Sequence, residues 1–339
     1  MTMAIEMPIR KKGRPSKALI EENQKRKILF CEALMEIQST LDFKISSRGW
    51  CYQLEDLAGL SKSDFDVAQN LINECRKNGM LPLGFTARDE ARALQGGSTY
   101  TDKETPEEYV QYQLKQIMDT YRHYQPKCLQ DFHNYGIVVM VEKIDLVGLF
   151  APVCERYNVP IFNARGWSDI NSRGDLLVEM LKFLKQEKIC LVLYCGDHDP
   201  AGLNISDMLP KNLKDVEQAV GIDSSLIRVE RFGLDYDFIE QNHLSWIDNL
   251  DTSNPDTPSL DNPKHPDHNK PYVKDYLKTF GVRKCEANSL VVRHEAGRQL
   301  LTDTLSKYIS DEQLFEYRLF IDEERAKVQN LLNQVKITF

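Results

Sequence analysis

The sequence predicts an α/β protein preceded by a mainly α-helical part, and three observations carry that prediction. Residues 17–78 place apolar side chains at helical spacing, broken by Ser and Gly. Residues 136–234 alternate near-continuous apolar runs with helical stretches, the pattern of a parallel sheet covered on both faces. The composition is globular, with 42% hydrophobic and 28% charged residues among 339 and a mean hydropathy of -0.45. At roughly 150 residues per domain the length suits about two domains. No apolar run reaches the roughly 18 residues of a membrane span. The start is polar and basic, unlike a secretory signal, so a cytoplasmic protein is expected.

Taken in order, residues 1–16 read as a disordered basic arm. Residues 1–30 hold eight Lys or Arg against three Glu, a net of +5; the whole chain is at -8, which leaves -13 for the rest. A basic arm on an acidic body can bind nucleic acid, because phosphate contacts depend on local charge. KKGRPSK (11–17) resembles an AT-hook, an extended segment that inserts Arg into a narrow minor groove. Lys11, Lys12, Arg14 and Lys17 are therefore candidate DNA contacts, with a solvated basic tail as the alternative. Residues 17–40 read as an amphipathic helix with Ile20, Ile28, Leu29, Leu34 and Ile37 on or near one face. SSRGWCYQLEDLAGL reads as a second helix with Ser46 or Ser47 as its cap. Ser61 to Asn78 is a third, stopped at Gly79, with Phe65, Val67, Ala68, Leu71, Ile72 and Cys75 as its apolar residues. MLPLGFT (80–86) looks like a strand. Three helices and a short strand within 17–94 suggest a helix-turn-helix or winged-helix module.

QGGSTYTDKETP (95–106) is a linker by composition, and residues 107–339 form the second predicted domain. It opens with a helix from Glu107 to Gln125. Strands are expected at 136–141, 159–164, 189–195 and 226–234, and helices at 145–157, at 174–186 and from Ala201. The Asp-, Asn- and Pro-rich stretch 251–271 is expected to be an extended loop; His265 and His268 flank Asp267 there, and a solvated loop is preferred over a metal site. Residues 290–335 read as helical. Eight cysteines without a C-x-x-C pair suit reduced thiols. No Gly-rich nucleotide loop occurs, so no ATP is expected on this chain.

Two groups of residues could carry chemistry. Glu142 follows one apolar strand, and Asp197 and Asp199 follow another. Ligands of open parallel sheets bind outside the carboxyl ends of the strands. Alternate residues of an extended segment point the same way, so Asp197 and Asp199 can converge with Glu142 while His198 points elsewhere. Three carboxylates together call for a cation, and hard oxygen donors suit Mg²⁺ or Mn²⁺. The second group is Arg48 and Tyr52, four apart on one helix face. A guanidinium beside a phenol favours the phenolate and can hold a phosphate. That pairing suits attack on a phosphodiester, with an ordinary core tyrosine as the alternative.

VEK (141–143) followed by GDHDP (196–200) resembles the Toprim signature of topoisomerases and related nucleases. RGWCY (48–52) resembles the R-x-x-[FY]-Y signature of the CAP-like winged helix in the A-type, DNA-cleaving component of topoisomerase VI and in its meiotic double-strand-break relative; Cys51 stands where that family carries an aromatic. The order, winged helix then Toprim, matches too, and further likeness runs through KSDFDVAQNLINECRKNGMLP, VEKIDLVGLFAPVCERYNVPIFNARGW and GDHDPAGLNISD. The chain looks most like free-standing bacterial or archaeal mini-A proteins of mobile elements.

The resemblance implies a Toprim domain with a Rossmann-like parallel sheet and a type IIB topoisomerase-like, DNA-cleaving activity. Tyr52 would form a 5′-phosphotyrosyl link and release a 3′-hydroxyl, with Arg48 on the phosphate. Glu142, Asp197 and Asp199 would hold Mg²⁺, with Mn²⁺ as a substitute. Lys143, Arg165 and His198 would border the DNA. The implied partners are double-stranded DNA and a second copy of the chain, in the nucleoid of a bacterial or archaeal cytosol; the existence of a separate ATPase partner is left open, since the mini-A proteins occur without one. Two alternatives stay open. One is a Toprim hydrolytic endonuclease in which metal-activated water attacks and Tyr52 is structural. The other is a non-catalytic DNA-binding protein.

Overall fold

The computed structural model describes residues 5, 7–9, 16–87, 105–163, 170–252, 254 and 256–335. Lys11, Lys12, Arg14 and Arg165, with most of the predicted linker, lie outside these residues. The described part is mixed α/β, with twelve α-helices and one four-stranded sheet.

The N-terminal part holds α1 (Lys17–Ser39), α2 (Ser47–Ala58) and α3 (Phe65–Lys77). Ser46 caps α2, its side chain accepting from the Gly49 N–H at 3.1 Å, and Gly59 ends the helix in the left-handed region at φ 67°. The buried face of α1 is Phe30, Cys31 and Leu34, whereas Ile20, Ile28 and Leu29 are exposed. Helical spacing alone allows either assignment; the side chains that find partners are those turned toward the core shared with α2 and α3. The expected strand at 80–86 is instead a short 3₁₀ turn at Leu83–Phe85. Phe85 stacks on Trp50 with centroids 4.7 Å apart, so its ring is buried without a strand partner. Of the expected disordered arm, Ile5 and Met7 pack against the core, and Ile9 exchanges two hydrogen bonds with Asn23.

After α4 (Pro106–Asp119), which ends six residues before the predicted helix does, the α/β part begins. Its elements are β1 (Tyr135–Val141), α5 (Ile144–Arg156), β2 (Ile161–Asn163), α6 (Ile170–Leu184), β3 (Ile189–Cys195), α7 (Pro200–Leu203), α8 (Ile205–Val220) and β4 (Ile227–Gly233). All pairings are parallel and the strand order is β2-β1-β3-β4. Alternation sorts the side chains. Ile137, Val139, Val141, Leu191, Leu193 and Cys195 face one cluster, which is continuous with the buried residues of α2 and α3. Val138, Met140, Val192 and Tyr194 face a second cluster, with Leu176, Met180, Leu209 and Leu213 of α6 and α8. One apolar core therefore runs from the N-terminal helices into the sheet.

The chain closes with α9 (Tyr236–Gln241), α10 (Pro271–Phe280), α11 (His294–Leu305) and α12 (Asp311–Gln334). Where an extended loop was expected, residues 256–270 form successive turns. His265 is buried there: its Nδ1 accepts from the Asp267 N–H and its Nε2 lies 3.2 Å from the Thr252 hydroxyl. The histidine braces the turns. All eight cysteines are unpaired, and seven are buried. No helix among the described residues is long and apolar enough to cross a membrane.

Candidate functional site

β1 and β3 are neighbours, with Val141 opposite Cys195. β2 lies beyond β1 and β4 beyond β3, so the direction of winding reverses between them, where an open sheet leaves a crevice at its carboxyl end. Glu142 leaves β1 there, its N–H donating to the Cys195 carbonyl at 3.0 Å. Asp197 and Asp199 leave β3.

Glu142 Oε2 accepts from the Asp197 N–H at 3.0 Å and the Tyr194 hydroxyl at 3.2 Å. The Lys143 ammonium lies 2.7 Å from Glu142 Oε1 and 2.9 Å from Asp197 Oδ2. Asp197 Oδ1 accepts from the Ala287 N–H at 2.8 Å. Asp199 turns its Oδ1 to the Gly202 N–H at 2.6 Å, capping the start of α7. Burial, then the Glu142 charge, pushes the Asp197 carboxyl up to about 7, against the pull of Lys143. Burial also acts to raise Glu142, but Lys143 and the hydrogen bonds it receives outweigh this and hold it low.

Two carboxylates thus converge on one cation, the chain's own ammonium. The donors are all oxygen, which fits Mg²⁺ or Mn²⁺ in donor type. Among the described residues no group of three Asp, Glu, His or Cys side chains is arranged to hold an ion, and Asp199 is engaged by the α7 backbone.

The opposite wall comes from α2. Ser46 donates its hydroxyl to Asp145 Oδ2 on α5 at 2.6 Å, which seats the start of α2 beside the strand ends. Arg48 and Tyr52 share a face of that helix, as their spacing requires. Tyr52 is only 1% exposed. Its hydroxyl donates to Glu286 Oε2 at 2.6 Å, and its ring lies under the Lys62 ammonium, 4.7 Å from the centroid. Arg48 reaches the same carboxylate through Nη2 at 3.3 Å and Nε at 3.4 Å. Burial and then the Glu286 charge push the Tyr52 hydroxyl well above its ordinary range.

Between the walls is a cleft of 730 Å³ lined by Arg48, Glu142, Lys143, Asp199, Glu286 and Asn288 among others. Tyr52 does not line it; the tyrosine lies behind Arg48 and Glu286 and borders a separate hollow of 230 Å³.

The fold therefore brings Arg48, Glu142, Lys143 and Asp199 to one cleft, with Tyr52 and Asp197 just behind its surface. His198 is not among them. It is 1% exposed, with Nδ1 3.0 Å from the Tyr276 hydroxyl and its ring edge-on to Trp246 and Phe280. Burial pushes its pKa down to about 4. Lys17 lies on the exposed first turn of α1. Glu286 joins the two walls, and sequence reasoning does not find it. Nothing in RKCEANSL marks it, since its partners are 234 and 238 residues away in the chain. An antiparallel bridge, His198 to Cys285, carries it there.

Comparison of the chain with family models, with curated proteins and with solved structures finds no match.

Proposed function

We propose that this chain is a DNA-cleaving tyrosine transesterase of the topoisomerase VI type, with a winged-helix part and a Toprim part. One observation carries the reading: a helix bearing an Arg–Tyr pair stands across one cleft from strand-end carboxylates that converge on a cation. The four-stranded parallel sheet suits a Toprim domain. Helices α1 to α3 suit the helical half of a winged helix, without the strand expected at 80–86.

In this reading Arg48, on the cleft surface, binds a DNA phosphate as a charge-assisted partner. Tyr52 attacks the phosphorus, forms the 5′-phosphotyrosyl link and displaces the 3′-oxygen. One phosphodiester replaces another, so the exchange is nearly isoenergetic and religation needs no ATP. Mg²⁺, or Mn²⁺, held by Glu142 and Asp197 with Asp199 turned inward, would neutralise charge on the transferring phosphoryl group. Lys143, displaced from between the carboxylates, then faces the DNA. Two copies acting on double-stranded DNA would place two staggered nicks; a nucleoid location belongs to the same proposal.

The burial of Tyr52 favours a second reading, a Toprim hydrolytic nuclease in which water attacks and Tyr52 only ties α2 to Glu286. A third, a non-catalytic DNA-binding protein, leaves the strand-end acids without a task. Supercoiled plasmid incubated with the protein and Mg²⁺, stopped with SDS and run with and without proteinase K, separates all three. A transesterase traps DNA on protein, and both Tyr52→Phe and Asp197→Ala abolish the adduct. A nuclease cuts with Tyr52→Phe and leaves no adduct. A binding protein leaves the plasmid intact.

A further inference from the structure

We infer that Glu286 is the proton acceptor for Tyr52, brought into action when a DNA phosphate takes Arg48 away from it. The inference deepens the proposed function, since it rests on Tyr52 being the nucleophile.

The arrangement is a nucleophile, a base and an orienting group in hydrogen-bonded sequence. Tyr52 donates to Glu286 Oε2 at 2.6 Å, within the reach a general base needs. Arg48 holds the same carboxylate by longer contacts, from Nη2 to Oε1 at 3.3 Å and from Nε to Oε2, the oxygen that Tyr52 uses, at 3.4 Å. Arg48 and Glu286 both face the cleft, while Tyr52 waits behind them. The carboxylate is on a braced segment. Cys285 is bridged to His198, the Ala287 N–H holds Asp197, and the Ser289 hydroxyl donates to the Glu286 carbonyl at 2.7 Å.

A purely structural network is not needed here. α2 is already tied to the same segment by Gln53, whose Nε2 donates to the Val291 carbonyl at 2.8 Å, and to α5 by Ser46. Burial acts to raise Glu286, but the Tyr52 hydroxyl and the Arg48 guanidinium outweigh it and hold the carboxyl below its usual range. Removing the guanidinium reverses part of that, so the carboxylate gains basicity as the phosphate binds.

The Tyr52 O–H bond breaks and its proton passes to Glu286 Oε2. The Oη–phosphorus bond forms, the bond from phosphorus to the 3′-oxygen breaks, and that oxygen takes a proton from solvent. Religation runs the same path backward, with protonated Glu286 returning the proton to the departing phenolate. Tyr52 and the phosphate must come into line for this, which requires Glu286 to turn aside from the cleft surface.

The test uses the full chain with supercoiled plasmid and Mg²⁺, following adduct formation and religation over time for wild type, Glu286→Gln, Glu286→Asp and Glu286→Ala. DNA binding by fluorescence anisotropy and thermal melting report on folding. A lost general base slows both directions by about 10²- to 10⁴-fold and leaves the final adduct level unchanged. Glu286→Asp retains part of the rate, and formate restores Glu286→Ala. A Glu286→Gln protein that folds, binds DNA and cleaves at the wild-type rate overturns the inference while leaving the transesterase reading intact. So does a rise in adduct level, which would make Glu286 a restraint on Tyr52 rather than its base. If wild type forms no adduct, or Tyr52→Phe cleaves normally, the nucleophile reading itself falls and this inference with it.

Discussion

The two ends of the parallel sheet treat charge in opposite ways. At the amino end, before β1 and β3, Lys188 donates to the backbone carbonyls of Gln130 and His133, and the Gln130 side chain accepts from the Ile137 N–H at 2.7 Å. One charge there is surrounded by backbone acceptors. At the carboxyl end, Glu142 and Asp197 share one ammonium and Glu286 is shared between Tyr52 and Arg48. Several charges there have fewer partners than they could use, and they face a cleft. The first arrangement serves stability. The second is the arrangement on which the proposed cleavage reaction rests.

Four substitutions or conditions sharpen that contrast. Tyr52→Phe should eliminate the protein–DNA adduct while leaving DNA binding within about threefold, since phosphate contacts rather than the buried hydroxyl supply the affinity; electrophoresis and anisotropy read the two effects. Cleavage that survives this substitution breaks the assignment of the nucleophile to Tyr52 and leaves the carboxyl-end acids to a hydrolytic mechanism.

Lys143→Met leaves two largely buried carboxylates without their cation. In the absence of divalent ions it should cost about 3 kcal/mol in urea unfolding, the scale seen when one partner of a buried charge cluster is removed. Millimolar Mg²⁺ should then raise its melting temperature more than that of the wild type. A variant indifferent to Mg²⁺ would show that the carboxylate pair takes no ion.

The amino end should show itself in the pH dependence of stability. His133 is 5% exposed, and burial, then the Lys188 charge, pushes its pKa from 6.5 down to about 4. As pH falls, the unfolded chain takes up this proton first, so stability is lost between pH 6.5 and 4. The loss amounts to roughly 3 kcal/mol at pH 4. Replacing His133 with Gln should flatten that part of the curve and leave adduct formation near neutral pH unchanged. An unaltered slope would mean that other groups govern acid stability.

The smallest effect concerns the seat of α2 against α5. Ser46→Ala removes the cap of α2 and its bond to Asp145. It should cost about 1–2 kcal/mol by thermal or urea unfolding. A loss under about 0.3 kcal/mol would mean that packing of Trp50 and Leu54, rather than the cap, seats α2.

The chain by itself determined the strands, most helix starts and the strand-end acids. Apolar runs such as GIVVMV and ICLVLYC can satisfy both their backbone and their side chains only inside a covered parallel sheet. The acid that follows each run then has to emerge at the carboxyl end. The Ser46 cap and the Arg48–Tyr52 face are equally local, set by the helical repeat. Tertiary structure decided the rest. It chose Phe30, Cys31 and Leu34 over Ile20, Ile28 and Leu29 as the buried face of α1, because only neighbours in space distinguish two stripes of similar hydrophobicity. It made 83–85 a turn under Trp50, put His198 inside an aromatic shell, and set Lys143 between two carboxylates. Above all it carried Glu286 to Tyr52 across 234 residues of chain. Local periodicity has a reach of a few residues, whereas a contact of that span exists only once the sheet and the segment bridged to it have been assembled.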